Sequence, residues 1–218
     1  EFRRVLLFRS PENLASVQLN LRMAYNVYQT ALEEGVQRVI VASSVHATDY
    51  HMQLYQEGRL EWSSPDQRPA THEFYGWGKV CSEHLGHIYA VGRGDTGHAP
   101  PRALEVILLR IGATADSFLD DIPPGNEGLL RQRLGVWLSA RDQEQLVLRC
   151  LETKDLSDEH GNPFQIFYGI SGNTHQYFSL SEAKRVVGYA PQDDSSLLFA
   201  EKIAQFRGQA PLAAPSTR

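Results

Sequence analysis

Short apolar runs alternate along this chain with longer stretches in which apolar residues recur every three or four positions. The runs Arg38–Ala42, Ala103–Ile111 and Pro163–Ile170 are nearly continuous in apolar or β-branched residues. Such runs are typical of parallel strands that are covered on both faces. The helical spacing in Pro11–Glu34 and Phe74–Val91 predicts long helices. The order helix, strand, helix, strand, with the third strand further on, therefore predicts an α/β fold with a parallel sheet flanked by helices.

The second half of the chain is predicted to be mainly helical. Further helical stretches are expected around Trp137 and Leu146 within Leu129–Leu151, at Ser181–Val187 and at Leu197–Phe206. Two long segments, Val45–Thr71 and Gly112–Gly128, are predicted to be loops because they are polar and carry proline and glycine. A connection as long as the first of these is uncommon unless it has a function.

Composition excludes several classes of protein. The 218 residues, 42% hydrophobic and 22% charged, suffice for one domain or one domain with a small lobe. The net charge of −5, without a basic stripe, argues against a nucleic-acid partner. No apolar run approaches the roughly 20 residues of a membrane span. Cys81 and Cys150 form no CxxC motif, which favours a reducing, cytoplasmic location with both thiols packed. No clustered ligand spacing predicts a metal.

Tyr75 and Lys79 lie four residues apart in a predicted helix and therefore share one face. A cation beside a phenol lowers its pKa, and a phenol tuned toward neutral pH can act as acid/base on a substrate hydroxyl. The pair Ser43-Ser44 ends a predicted strand upstream and offers a hydroxyl to hold that oxygen. The spacing alone is also compatible with a half-buried tyrosine and a solvated lysine.

Several short motifs follow one another in a fixed order. They are Leu19-Asn20 with Tyr25-Asn26, Gly35-Val36, Ala42-Ser43-Ser44, Tyr75-Gly76-Trp77-Gly78-Lys79 with Glu83, Arg110-Ile111-Gly112, Trp137-Leu138-Ser139, Tyr168-Gly169 with Ser171 and Asn173, and Gly188-Tyr189 with Pro191. In this order they resemble the extended short-chain dehydrogenases/reductases of the NAD-dependent epimerase/dehydratase family, most of all the uronate dehydrogenase-like members. The resemblance runs from about Asn13 to Ser196.

The resemblance implies a Rossmann-like, NAD-binding enzyme, with NADP possible, that oxidises a hydroxyl of a sugar or sugar acid. Tyr75 would be the acid/base, Lys79 would lower its pKa and bind the nicotinamide ribose, and Ser44 would hold the reacting hydroxyl. The residues placed beside the cofactor are Ala42, Ser43, Tyr75, Lys79 and Ile111. The residues placed around the sugar are Ser44, Val45, His46, Tyr75 and Gln132. The family also implies a homodimer formed by the two long helices.

The sequence departs from the family pattern in three places. The glycine-rich turn that seats the cofactor pyrophosphate is not found, and neither is the acidic residue for the adenosine ribose. Val45 stands where the family has an asparagine. Gln132 stands where a uronate-binding arginine is expected, although Arg131 and Arg133 flank it.

These departures predict a division of the chain and leave two alternative functions open. Residues 1–10 resemble a non-native leader, 11–125 the C-terminal part of a Rossmann-like NAD-binding domain that lacks its N-terminal βαβ strands, 126–208 the helices and strand of a small substrate-side lobe and 209–218 a disordered tail. The alternatives to a sugar dehydrogenase are a nucleotide-sugar epimerase or dehydratase, and an inactive fragment without a dinucleotide phosphate site.

Overall fold

The computed structural model of the protein describes residues 14–91 and 103–208. The helices are α1 (Leu14–Glu33), α2 (Asp49–Gln56), α3 (Phe74–Val91), α4 (Glu127–Gly135), α5 (Ala140–Glu152), α6 (Ser181–Val187), α7 (Ser195–Leu198) and α8 (Ala200–Phe206). The strands are β1 (Arg38–Ser44), β2 (Glu105–Ile111) and β3 (Phe164–Gly169), and two 3-10 turns cover Val45–Thr48 and Asp116–Leu119. The predicted leader 1–10 and tail 209–218 lie outside the described residues.

The three strands form one parallel sheet in the order β1-β2-β3. The register places Ser44 opposite Ile111, and Ile111 opposite Gly169, so the carboxyl ends of all three strands meet at one edge. The α/β fold with a parallel sheet is thereby confirmed. In open sheets of this kind, ligands bind beyond the carboxyl edge. β3 lies within the segment 126–208, so that segment also supplies a strand of the sheet.

The central strand β2 explains why the apolar runs are continuous. Val106 and Leu108 point to one face, where they pack with Tyr28 of α1 and with α3. Ile107 and Leu109 point to the other face, where they join a core that includes side chains of α5 and α6. All four side chains are at most 3% exposed. Because both faces of β2 are buried, apolar residues follow one another along the strand instead of alternating with polar ones.

Two predicted elements differ in the structure. The segment predicted as a loop after β1 contains the 3-10 turn Val45–Thr48 and helix α2. The apolar contacts of α2 come mainly from Met52 and from Tyr55, which stacks on Tyr177 at 3.9 Å between ring centroids. Two apolar residues are too few to show the helical periodicity from which α2 could have been predicted. Trp137, predicted to be helical, lies between α4 and α5, where it forms a β-bridge with Ala113.

Large apolar side chains remain exposed on the outer faces of α1 and α3. Among them are Leu19, Tyr25 and Val27 on α1 and Phe74, Trp77 and Ile88 on α3. Ile88 is 55% exposed. Pairing of these helices with a second copy stays a prediction. No helix within residues 14–91 and 103–208 is both long and apolar enough to cross a bilayer.

Candidate active site

The carboxyl end of β1 positions Ser44 and His46. Ser44 is the last residue of the strand, and its Oγ accepts a hydrogen bond from the backbone N–H of His46 at 3.2 Å. This bond caps the 3-10 turn that follows and holds Ser44 at the sheet edge, where it is 6% exposed. The His46 ring meets the Tyr75 ring edge-on, with 5.6 Å between centroids. Strand end, turn and helix α3 therefore come together at one point.

Tyr75 and Lys79 share a face of α3, as their spacing predicted. The Lys79 Nζ donates to the carbonyl oxygen of Ala42 at 2.7 Å and lies 5.6 Å from the centre of the Tyr75 ring. The lysine thus bridges α3 to the end of β1, where Ser44 also lies. The structure brings Ser44, Tyr75 and Lys79 together; their catalytic roles stay predictions.

Burial shifts both ionisable groups toward their neutral forms. The pKa of Tyr75 is raised because the phenol is desolvated, and a hydrogen bond with Ser44 opposes the rise only in part. The pKa of Lys79 is lowered by desolvation, which the charge of Glu83 partly offsets. The spacing predicted that Lys79 lowers the pKa of the phenol; instead this pKa is raised, and desolvation is the largest cause.

Two cavities adjoin this point. The first, which we call the apolar cavity, has a volume of about 410 Å³ and lies between α1, β1 and α3. It is lined by Asn20, Met23, Ala24, Val27, Tyr28, Val41, Ala42, Ser43, Tyr75, Gly78, Lys79, Ser82 and Leu108. The second, the polar cavity, has a volume of about 560 Å³. It is lined by Ser44, Val45, His46, Asp49, Met52, Gln53, Gln56, Glu57, His72, Glu73, Ile111, Gly112, Ala113, Leu129, Gln132, Arg133 and Val136.

The predicted site residues divide between the two cavities. Of those predicted to bind the cofactor, Ala42, Ser43, Tyr75 and Lys79 line the apolar cavity and Ile111 lines the polar one. Of those predicted to bind the sugar, Ser44, Val45, His46 and Gln132 line the polar cavity. Consecutive residues, Ser43 and Ser44, face different cavities, so the end of β1 separates the two.

Behind the site, a buried ionic network ties α3 to the sheet. The Arg110 guanidinium on β2 donates to both carboxylate oxygens of Glu83 on α3, at 2.9 and 2.8 Å. Arg110 also donates to the Tyr168 hydroxyl at 3.1 Å, and the Ser43 hydroxyl donates to Glu83 at 2.6 Å. Arg110 and Glu83 are at most 1% exposed. The Ser43 hydroxyl is therefore part of this network, although Ser43 also lines the apolar cavity.

Sequence reasoning missed the acidic side of the polar cavity. Asp49, which is 5% exposed, accepts a hydrogen bond from the backbone N–H of His72 at 3.0 Å and lies 3.3 Å from His72 Nδ1. Glu73 lies 3.7 Å from His46 Nδ1. His72 is a surface residue, and Asp49 is its partner. The available signal was a carboxylate five residues after the strand end, at the start of the unpredicted helix α2.

Gln132 occupies the position where the family pattern has a carboxylate-binding arginine. It is 4% exposed, and its Nε2 donates to the Tyr177 hydroxyl at 3.5 Å. The neighbouring Arg133 lines the same cavity and donates to the Phe118 carbonyl at 3.3 Å. Arg131 does not line it. The polar cavity thus offers an amide where a guanidinium fork would grip a carboxylate.

Two glycines of α3 flanking Trp77 make a matched pair for testing how the helix is seated. A Cβ on Gly76 would overlap the His46 carbonyl oxygen and the Thr71 Oγ1, whereas a Cβ on Gly78 would meet Val17 Cγ1 at 3.3 Å. Gly76→Ala is expected to destabilise the fold by about 1–3 kcal/mol, because a backbone carbonyl has to move. Gly78→Ala should stay within about 1 kcal/mol, since the gain in helix propensity offsets the contact. Urea unfolding of both variants checks this; equal losses would contradict it.

The chain is similar in sequence and in structure to several sugar dehydrogenases. It is 32% identical over 188 residues to L-arabinose 1-dehydrogenase (NAD(P)(+)) of Haloferax volcanii, covering 82% of this chain and 68% of the relative. It is 29% identical over 186 residues to uronate dehydrogenase of Pseudomonas syringae pv. tomato, covering 85% and 56%. The solved structure of a mutated uronate dehydrogenase matches 96% of this chain and 64% of that one, at 25% identity and a TM-score of 0.67.

No protein-family model matches the chain. The chain spans between 56% and 68% of the length of these three relatives. The parallel sheet, the Ser44, Tyr75 and Lys79 constellation and the identity to curated dehydrogenases agree with one another. The chain belongs to the NAD-dependent epimerase/dehydratase family of the short-chain dehydrogenases/reductases.

Proposed function

We propose that this protein is an NAD(P)-dependent oxidoreductase that oxidises a hydroxyl of a sugar, with Ser44, Tyr75 and Lys79 as its acid/base machinery. The observation that carries the proposal is the convergence of these three side chains between two cavities at the carboxyl edge of the sheet. The curated relatives named above, a pentose dehydrogenase and a uronate dehydrogenase, support the reaction class.

In this mechanism the protein moves one proton. Ser44 and Tyr75 hold the substrate hydroxyl between them, and the ionised Tyr75 takes its proton as the adjacent carbon is oxidised. Lys79 stabilises the tyrosinate electrostatically from its position over the ring. A bound nicotinamide cofactor would supply the hydride acceptor. Since burial keeps Tyr75 neutral at rest, the cation and the bound substrate together have to favour its ionised form.

The residues of the apolar cavity fit the nicotinamide half of such a cofactor. Tyr75 and Lys79 stand beside a mainly apolar space, so a flat ring and a ribose hydroxyl would each find a suitable partner. Ile111, at the end of β2, approaches from the polar cavity. Residues 14–91 and 103–208 contain no glycine-rich turn between a strand and a helix that would hold a pyrophosphate. The proposal therefore concerns the nicotinamide end, with residues 126–208 contributing to the substrate side.

The charge pattern of the polar cavity favours a neutral sugar over a sugar acid. Asp49, Glu57 and Glu73 line it, against the single guanidinium of Arg133. A substrate carboxylate would face these like charges and would meet Gln132 in place of a bidentate fork. Carboxylates and amides are good partners for sugar hydroxyls. We therefore infer an aldose as substrate, in keeping with the relative whose name specifies L-arabinose.

A substrate panel tests the proposed function. The purified protein is incubated with NAD or NADP in metal-free buffer containing a chelator, with neutral aldopentoses, aldohexoses and the matching hexuronates, and reduced cofactor is followed by absorbance. We expect net reduction with neutral aldoses and at least a tenfold lower kcat/KM with hexuronates. A preference for hexuronates would contradict the substrate class.

The same panel separates the two alternative functions. Conversion of a nucleotide sugar without net accumulation of reduced cofactor would identify an epimerase or dehydratase instead. Titration calorimetry with NAD addresses the third possibility. No binding of NAD or NADP by the folded protein, together with no turnover, would identify a chain that lacks activity on its own.

A further inference from the structure

We propose that His46, Asp49 and Glu73 form a binding site for a first-row divalent metal ion, Zn²⁺ in the first instance, in the wall of the polar cavity. These three residues, which we call the acid–histidine cluster, each offer one ligand atom, and the three atoms all lie within 4.8 Å of one another. Metal binding by this cluster is independent of the sugar oxidation proposed above; only its contact with the sugar rests on that function, and the preference for a neutral sugar is argued for the protein without a bound cation.

The first support is the set of elements that presents the ligands. His46 belongs to the turn after β1, Asp49 is the first residue of α2, and Glu73 directly precedes α3. The start of α3 lies close against that turn, since a Cβ added to Gly76 would overlap the His46 carbonyl oxygen. Three separate elements thus bring their ligand atoms within 4.8 Å of one another, and zinc would draw them in to bonds of roughly 2.0–2.2 Å.

The second, independent support is a pair of buried polar atoms that lack partners. Asp49 is 5% exposed, yet its Oδ2 makes no hydrogen bond with any described residue. The Nδ1 of His46 is also buried and makes no hydrogen bond within the described part of the chain, its nearest charged neighbour being Glu73 at 3.7 Å. Burying such atoms without partners is unfavourable. A cation between them satisfies both.

A purely structural role explains only one of the two carboxylate oxygens of Asp49. Its Oδ1 accepts from the backbone N–H of His72 and faces His72 Nδ1 at 3.3 Å, which fixes the chain before α3. That bond orients the carboxylate as an outer partner orients a ligand in metal sites, and Oδ2 is left without a partner among the described residues. Were the carboxylate present only to hold the loop, its second oxygen would not be buried without a partner.

The donor set selects the class of ion. One imidazole nitrogen and two carboxylates suit zinc and its first-row neighbours better than magnesium or calcium, which prefer oxygen ligands alone. Three protein ligands leave a coordination position open toward the cavity. The His46 ring lies 5.6 Å from the Tyr75 ring, so an ion here would stand beside the proposed reacting hydroxyl and accept a neighbouring sugar oxygen.

Metal titration tests the site without depending on turnover. The full chain, freed of metal with a chelator and then dialysed, is titrated with ZnCl₂ by calorimetry, and Co²⁺ absorbance reports the ligand set. We expect one tight site, weakened at least tenfold in Asp49→Asn. The matched control is Glu57→Gln, which lines the same cavity but bonds Gln53 and Arg59 outside the cluster. This variant should keep the wild-type affinity.

The variants distinguish ligation by the acid–histidine cluster from general attraction of cations to a negative surface. Equal weakening in Asp49→Asn and Glu57→Gln would show such general attraction and overturn the site. Undiminished binding in Asp49→Asn would place the ion elsewhere, and absence of saturable binding by wild-type protein would also overturn it. Circular dichroism of each variant controls for folding, and His46→Gln repeats the test if Asp49→Asn does not fold. Turnover in the presence of chelator bears on the proposed function alone.

Discussion

Replacing Tyr75 with phenylalanine is expected to lower kcat/KM for sugar oxidation by about 10²–10⁴-fold, because positioned acid/base groups contribute factors of that size. The ring and its contact with His46 remain in the variant, and only the hydroxyl that interacts with Ser44 is lost. Fold and cofactor affinity should therefore stay close to wild type. Steady-state kinetics with the best aldose from the panel measures kcat/KM, and calorimetry measures the affinity for NAD.

The proposed role of Tyr75 also determines how kcat/KM should depend on pH. The raised pKa of Tyr75 means that little of the phenol is ionised at neutral pH. In the direction of oxidation the ionised form is the base, so kcat/KM should rise about tenfold per pH unit as the pH increases toward the pKa. Tyr75→Phe should lose this alkaline limb. Wild-type activity that falls with increasing pH, in protein shown to remain folded, would contradict the role.

Tyr89 is the matched control, because it is another tyrosine of α3. Its hydroxyl donates to Gln29 Oε1 at 2.8 Å, and it lies about four helical turns along α3 from Tyr75. Tyr89→Phe is expected to leave kcat/KM within about twofold of wild type. If both variants lose activity alike, the loss reflects packing of α3 and not the Tyr75 hydroxyl.

Replacing Glu83 with glutamine is expected to destabilise the fold by about 3–5 kcal/mol, because it leaves the buried Arg110 cation without its counter-ion. Burial lowers the pKa of Arg110, but the hydrogen bonds and charge of Glu83 together raise it above its usual value. The guanidinium therefore stays charged in the native fold and loses its compensation in the variant. Urea unfolding monitored by circular dichroism measures the change in the free energy of unfolding.

A milder variant keeps this prediction testable if Glu83→Gln does not fold. Ser43→Ala removes only the 2.6 Å hydrogen bond to the Glu83 carboxylate and should cost about 1.5–3 kcal/mol. The control is Asp120→Asn, which breaks the 2.9 Å ion pair with Lys202 on the surface and should change stability by less than about 1 kcal/mol. A loss in Asp120→Asn as large as that in Glu83→Gln would refute the assignment of stability to the buried pair.

The features that depend on short-range sequence patterns could be predicted from the sequence. The apolar runs predicted the three strands, and the four-residue spacing placed Tyr75 and Lys79 on one face of α3. The strand ends correctly indicated the edge where Ser44 lies. Each of these is set by the period of a helix or a strand, which can be read locally.

The rest depends on contacts between distant segments. Asp49 and Glu73 belong to different helix starts, and only the packing of α2 and α3 around the end of β1 brings them within reach of His46. The pKa of Tyr75 moved opposite to expectation because burial is a property of the packed fold. Helix α2 was missed because it has no apolar stripe along one face. A few tertiary contacts, such as the stacking of Tyr55 on Tyr177, stabilise it instead.

The all-parallel sheet also determines how this chain has to fold. Adjacent antiparallel strands can close through a two-residue turn, but parallel neighbours need a long crossover. Here residues 45–104 separate β1 from β2, and residues 112–163 separate β2 from β3. Each pairing therefore bears the entropy of closing a long loop before any ladder hydrogen bond forms. Contact order of this kind slows folding, so we expect the edge that carries Ser44 to form slowly.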